Sequence, residues 1–301
     1  MSTPIPFRRD LTFDYGVVDE VAPGLRRVIA RNPSDFTFHG TGTYIVGHGN
    51  VAVIDPGPAL DTHVDAVAEA LAGDTVTHIL VTHTHIDHSP ASRPLQALVG
   101  GTIYGYGPHG AGKIEAGVQV EEGGDMDFVP DVEVRHGDVI EGDGWSMECV
   151  YTPGHTSNHI CYAWRETGSL FPGDQVMGWS TTIVSPPDGD MGDYLASLRH
   201  LLERDDKRYW PTHGTSIDDP KAFVRALIAH REERADQVMA ALTAGAGTIA
   251  AMVPGIYGGD VPEHMFPAAA RSVFATMIML VNDGRVACDG DLAVDARYRP
   301  A

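Results

Sequence analysis

The sequence predicts an α/β fold, and three patterns carry that prediction. Short apolar runs alternate with a stretch of helical spacing and are punctuated by Gly, Pro and Asp turns. Four of the apolar runs end by delivering a side chain that can bind a metal ion, as loops do when a rigid sheet holds them at its edge. From about Asp218 onward the composition turns helical.

Taken in order, Thr43–Gly47 (TYIVG) and Val51–Asp55 (VAVID) read as two strands joined across a turn that holds Gly47 and Gly49. Thr62–Gly73 has apolar residues at helical spacing and ends on glycine. Val76–His83 (VTHILVTH) is a strand with an apolar centre that runs into His83, His85, Asp87 and His88. Ser146–His155, Gly168–Asp174 and Asp206–Gly214 repeat the design and deliver His155, Asp174 and His213. The acidic, Gly-rich segment Glu115–Asp131 reads as a loop near the site entrance. Asp219 suits a helix N-cap with Pro220 at the first helical position, and that helix should run to about Gly245. Two further helical stretches and a strand-like RVACDGD follow, the order of a winged-helix module. The expected division is a catalytic domain over 1–219 and a winged-helix-like domain over 220–301.

Composition narrows the partners. A length of 301 residues suffices for one large domain or for one domain plus a smaller one, and 43% apolar content gives a sizeable core. The formal net charge of -20 repels phosphate backbones and anionic membranes over long range, which argues against nucleic acid while leaving room for a local basic site. Between Gly245 and Ala301, four arginines stand against six carboxylates and there is no lysine, unlike a DNA-binding face. A structural or dimerising cap over the active-site edge is the expectation for this region, so a homo-oligomer is compatible with the sequence. No secretory apolar stretch follows Met1, and the longest apolar run, Val273–Val281, is too short to span a bilayer. Cys149, Cys161 and Cys288 form no CxxC pair and read as buried thiols in a reducing compartment. The expected location is therefore cytoplasmic, with no membrane partner.

The chemistry concentrates in the H-x-H-x-D-H pattern of His83, His85, Asp87 and His88. In an extended or tightly turning segment His83 and His85 point to one side and reach one ion, while Asp87 and His88 reach a second. Mixed imidazole and carboxylate donors suit Zn²⁺, iron or Mn²⁺.

With Asp55 in VIDPGP, the THTHIDH stretch, His155 in TPGHTSNH, Asp174 in LFPGD and His213 in PTHG, all in that order, the sequence resembles the metallo-β-lactamase-fold superfamily over most of its length. The resemblance implies an αββα sandwich with metals at one edge of two sheets. It implies that one metal takes His83, His85 and His155, that the other takes Asp87, His88 and His213, and that Asp174 bridges both. Two Zn²⁺ per chain are then expected, with iron or manganese as alternatives. Asp87 and Asp174 are the catalytic carboxylates of this picture: both hold a bridging hydroxide, and Asp87 relays its proton to the leaving group. Asp55 is cast as the carboxylate that fixes the histidine loop, and His159 as a supporting or core histidine. Trp179, Thr181 and Tyr104 are candidates to line a pocket, and the loops Glu115–Asp131 and Trp179–Tyr194 to set specificity.

Arg31–Gly47 and His230–Arg234 are similar to a branch with an added C-terminal winged-helix-like domain, which includes a mitochondrial endoribonuclease and many bacterial hydrolases. In that branch Asn often stands where this chain has Gly42, and Trp179–Tyr194 is similar to the bacterial members. Asp174 looks like the bridging carboxylate of thioesterase (glyoxalase II-like), lactonase or nuclease members rather than of true zinc β-lactamases. The implied activity is a dinuclear metal-dependent hydrolase acting on a small acyl substrate, a thioester or lactone. A single-strand endoribonuclease and an iron-dependent oxygenase of the persulfide dioxygenase kind are the alternatives.

Overall fold

In the computed structural model, which describes residues 4–113, 123–259 and 261–301, the first sheet runs in chain order. Its strands are β1 (Val18–Ala22), β2 (Leu25–Ile29), β3 (Gly42–Val46), β4 (Asn50–Ile54), β5 (Thr75–Leu80), β6 (Thr102–Gly105) and β7 (Val132–Glu133). The pair around Gly47 and Gly49 is antiparallel, and from β4 onward the strands are parallel. Parallel neighbours need long crossovers, and α1 (Asp61–Ala70) and α2 (Ser92–Val99) supply two of them. The second sheet holds β8 (Val139–Glu141), β9 (Ser146–Tyr151), β10 (Ile160–Trp164), β11 (Ser169–Phe171) and, after α3 (Met191–Glu203), β12 (Arg208–Tyr209).

Strand alternation builds the layers. On β3 and β4, Tyr44, Val46, Ala52 and Ile54 face the second sheet, where Met147, Cys149, Ile160, Tyr162 and Phe171 meet them. Their neighbours Ile45, Val51 and Val53 face the other way, onto Val67 and Leu71 beside Leu95 of α2. On the far side, Val150, Cys161 and Leu170 pack under Leu195 and Leu198 of α3. Helices thus cover both outer faces, giving the αββα sandwich that the resemblance implied. Two tyrosines tie the sheets together close to the site. Tyr44 donates to the Pro211 carbonyl at 2.8 Å, and Tyr162 donates to the Val81 carbonyl at 2.9 Å.

The C-terminal part holds α4 (Pro220–Thr243), α5 (Ile249–Tyr257), α6 (Phe266–Asn282) and a ribbon of β13 (Val286–Asp289) and β14 (Arg297–Pro300). Asp219 caps α4 by accepting from the Ala222 amide at 3.1 Å, and Gly245, with φ +95°, turns the chain away after its end. The first half of α4, Phe223, Val224, Leu227 and Ile228, lies in the same core cluster as α3. Its last turns, Val238 and Leu242, belong to the core of the small domain with Ile249, Val273 and Val286.

Three details depart from the sequence reading. Met191–Tyr194 form the first turn of α3, so the segment expected as a loop up to Tyr194 is loop only to Asp190. Asp190 caps that helix by accepting from the Gly192 and Asp193 amides, which pulls the chain into helical register early. The apolar run Val273–Val281 is part of a longer helical segment, Glu263–Asn282, whose 20 residues and mean hydropathy of 1.4 are enough by length and composition to cross a membrane. Its residues Ala269, Val273, Met277 and Leu280 fill the core of the small domain, and Ala275 packs into the α3 cluster. Cys149 and Cys161 are buried, whereas Cys288 is only half-buried.

His63 of α1 is buried, with Nε2 2.9 Å from the Thr43 hydroxyl, which donates to the Asp55 carbonyl at 2.8 Å. Burial pushes its pKa down from 6.5 to about 4. The unfolded chain therefore binds a proton that the folded chain resists. Stability from this group is present above pH 6.5 and is lost as pH falls toward 4. Between pH 7.5 and 5, urea unfolding of the wild type should lose about 2 kcal/mol more than that of His63→Gln. Equal losses in the two proteins would show that His63 is not the linked group.

Candidate metal centre

Parallel pairing of β4 with β5 sets the end of one strand beside the end of the other, and the Asp55 amide donates to the Leu80 carbonyl at 2.9 Å. Asp55 then turns with φ +48°, a left-handed conformation that Asp tolerates better than most residues. Its carboxylate is fully buried. Oδ1 accepts from the Thr82 amide at 2.8 Å, and Oδ2 accepts from the Thr82 hydroxyl at 2.8 Å and the Thr212 hydroxyl at 3.0 Å. Oδ2 also lies 2.9 Å from Nδ1 of His88. One side chain thus fastens the histidine loop after β5 to the His213 loop that follows β12 of the other sheet.

The same logic, an outer nitrogen held and an inner one bare, recurs around the site. His213 Nδ1 lies 3.2 Å from the Gly40 carbonyl, and its Nε2 is 3.1 Å from Asp87 and 3.5 Å from Asp174. His155 Nδ1 lies 2.6 Å from the Ile183 carbonyl, and its Nε2 is 3.7 Å from Asp174. His88 Nε2 lies 3.4 Å from Asp87 and 3.6 Å from Asp174. His83 Nδ1 is 3.1 Å from the Thr82 hydroxyl. Inner nitrogens then face each other: His85 Nδ1 is 3.1 Å from His83 Nε2 and 2.9 Å from His155 Nε2. Lone pairs gathered this closely repel unless a cation or proton lies among them. Ligand atoms lie within 4.8 Å of one another in three groups: His83, His85 and His155; Asp87, His88 and His213; and His83, His88 and Asp174. His88 Nε2, His213 Nε2 and Asp174 Oδ1 are buried with no hydrogen-bond partner. This donor set fits two cations, and it unites all seven residues that the sequence nominated.

Electrostatics agrees with the geometry. Burial, reinforced by the neighbouring histidines, holds His83 and His85 well below the usual imidazole range, so both offer neutral lone pairs. Burial pushes the Asp87 carboxyl up, but His88 and His213 outweigh it and hold it well below the usual carboxylate range. Asp174 is held low in the same way, by His213 and His88. Burial pushes His88 and His213 down, but these carboxylates outweigh it and hold both imidazoles above their usual range.

A second bracket, missed by the sequence reading, joins the two histidine loops. Thr84 sits between His83 and His85; its hydroxyl accepts from the Asn158 side-chain amide at 2.8 Å and lies 2.8 Å from His109 Nδ1. Asn158 also reaches the Pro108 carbonyl at 3.1 Å, and Asp188 accepts from the amide and hydroxyl of Ser157. A readable signal was the alternation itself, since threonines at 82 and 84 turn away from the side the histidines face. His159 is fully buried behind His83, its ring 5.1 Å away and stacked, with Nδ1 2.9 Å from the Thr152 hydroxyl.

The site opens into a cavity of about 480 Å³, a size suited to a small molecule. His85, Asp87, His155 and Asp174 lie at one side of it. Asn32, Ser34, Phe36 and Thr37 line it from the segment before β3, with Pro58, Ile86, Gly123, Met177, Ile183 and Ser185, and Ala268 and Arg271 come from α6. Phe36 and Ile86 are 51% and 57% exposed, apolar groups open to solvent beside the donors. Trp179 and Thr181 do not line this cavity, whereas Met177, Ile183 and Ser185 of the same segment do, and the Trp179 ring stacks on Phe38 at 4.7 Å. Tyr104 lies in a different groove, with His78, Val132 and Val139. Of the acidic segment, residues 115–122 lie outside the described residues. Gly123 accepts from the Ile86 amide at 2.9 Å, and Asp125 accepts from Ser89 at 2.6 Å, which places this end beside the histidine loop.

Residues 37–213 match the metallo-beta-lactamase superfamily, and residues 248–296 match the beta-lactamase associated winged helix domain. The chain is 28% identical over 294 residues to the lactamase-like protein adaB of Aspergillus niger, covering 91% of this chain and 85% of that one. It is 29% identical over 228 residues to the atrochrysone carboxyl ACP thioesterase dmxR1 of Cryptosporiopsis sp., covering 75% of this chain and 65% of that one. A metallo-beta-lactamase family protein of Thermus thermophilus shares the fold with a TM-score of 0.75 at 22% identity, over 93% of this chain and 100% of that one.

Replacing Asp55 by Asn keeps the shape and removes the charged acceptor facing His88. Metal affinity, measured by titration against a chelating indicator, should fall about 10- to 100-fold while circular dichroism stays native. Wild-type affinity in folded Asp55→Asn would show that the carboxylate does not position the ligands.

Proposed function

From a chain that belongs to the metallo-beta-lactamase superfamily of hydrolases and carries its associated winged helix, we propose a metal-dependent thioesterase that hydrolyses a small acyl thioester. The observation that carries this reading is the cavity. Phe36, Ile86, Met177 and Ile183 give it apolar walls beside Asp87 and Asp174, a surface suited to an acyl chain whose carbonyl reaches the donors. The name of the relative dmxR1, a thioesterase acting on a carrier-bound acyl group, supports the same class.

His83, His85 and His155 would hold one divalent ion and Asp87, His88 and His213 the other, with Asp174 between them. We favour zinc for this mixture of imidazole and carboxylate. When bound, such ions supply Lewis acidity and lower the pKa of water toward neutrality. The protein's own contributions are orientation and proton handling. Asp87 lines the cavity and accepts from the Thr41 hydroxyl at 3.4 Å, which helps to hold its carboxylate at the cavity wall. His88 and His213 hold Asp87 ionised, so near neutral pH it carries no proton to give to a leaving group. Such a group serves a leaving group that departs without protonation. A thiolate does, because its conjugate thiol has a pKa of about 8.5, whereas an alkoxide or amide nitrogen needs a proton.

Single-stranded RNA fits less well: a net charge of -20 and a cavity with apolar walls lack the basic, aromatic-lined track such strands require.

Zinc-loaded protein should hydrolyse N-acetylcysteamine thioesters of apolar acyl chains, lose that activity on chelation and regain it when zinc returns. The double variant His85→Ala with Asp174→Ala should lower kcat/KM by about a thousandfold or more. Undiminished hydrolysis by folded, metal-free protein would end the proposal, as would turnover of lactones or RNA with none of thioesters.

A further inference from the structure

Arg271 stands one helical turn after Ala268 on α6, and both line the cavity that holds Asp87 and Asp174. Among the described residues it is the one Lys or Arg that does so. Cations are scarce in this chain, 21 Lys and Arg against 41 Asp and Glu, so a guanidinium at the cavity stands out against its surroundings. The small domain is set against the catalytic one at this point. Ala275 of α6 packs into the α3 cluster, and His264 lies 3.0 Å from Asp35, within the segment that carries Ser34, Phe36 and Thr37. The cavity therefore has metal-binding donors on one side, apolar walls, and a guanidinium contributed by a second domain.

We propose that Arg271 is the subsite for an anionic group on the substrate, so that the enzyme prefers acyl thioesters carrying a carboxylate or a phosphate. A planar guanidinium pairs with either group through two parallel hydrogen bonds. The anion has two sources, a carboxylate at the far end of the acyl chain or a phosphate on the thiol carrier. This assignment rests on the thioesterase reading and deepens it.

Four substrates separate the sources: glutaryl and pentanoyl thioesters of N-acetylcysteamine, and the same two acyl groups on coenzyme A. Wild-type, zinc-loaded enzyme should prefer at least one anionic substrate over pentanoyl-N-acetylcysteamine in kcat/KM. In Arg271→Gln that preference should collapse about 10- to 100-fold, through KM, and Arg271→Lys should restore part of it. Collapse for glutaryl names the acyl carboxylate, and collapse for coenzyme A names the phosphate. No anionic preference in the wild type, or an equal loss on charged and neutral substrates in Arg271→Gln, would overturn the assignment. If the wild type turns over no thioester, the thioesterase reading fails separately. Calorimetric binding of glutarate against pentanoate, and of coenzyme A against N-acetylcysteamine, then decides on Arg271. An anion preference lost in Arg271→Gln upholds it, and no preference, or the same one in both proteins, refutes it.

Discussion

Everything at the site hangs from the buried carboxylate of Asp55. A buried charge is costly unless it is fully hydrogen-bonded, and this one receives two bonds from Thr82 and one from Thr212 and faces His88. Those partners come from the histidine loop of the first sheet and from the segment preceding His213 on the second. The carboxylate can be satisfied only when both sheets have closed, so completing the fold and aiming the ligands are the same event. The left-handed turn at Asp55 is the local strain that this arrangement sustains.

The ligands themselves carry a second constraint. Seven nitrogen and carboxylate side chains converge, and the carboxylates near His88 and His213 hold those imidazoles above their usual range. In the other half of the site, His83 and His85 are held neutral by burial and face each other with little to relieve them. The two halves therefore surround a cation with different electrostatics, even though they share Asp174.

The ligand positions were legible because each follows an apolar run: a strand end is a sequence-local event, and a histidine or aspartate just past it is visible in one dimension. The order of the motifs added the sandwich. What was not legible lies between elements. Nothing local says that β5 belongs to one sheet while β9, β11 and β12 belong to the other. Asn158 and Thr84 are unremarkable polar residues until two loops bring them to 2.8 Å. Phe36, Ile86 and Arg271 come from three distant stretches and acquire meaning only from the cavity they line together. Trp179 was a candidate to line a pocket, yet its ring stacks on Phe38, a partner that sequence spacing does not reveal.

The long helix α4 belongs to two cores at once, with Phe223, Val224 and Leu227 beneath α3 and Val238 and Leu242 in the small domain. A helix melts cooperatively, so loss of packing at either end weakens the other. The C-terminal unit is thus no detachable accessory. Exchanging it for another module by recombination at residue 219 would strip the catalytic half of apolar residues that it does not supply for itself. Successful shuffling of such domains has to carry the first half of α4 along with the catalytic sandwich, which confines viable crossovers to the middle of a continuous helix.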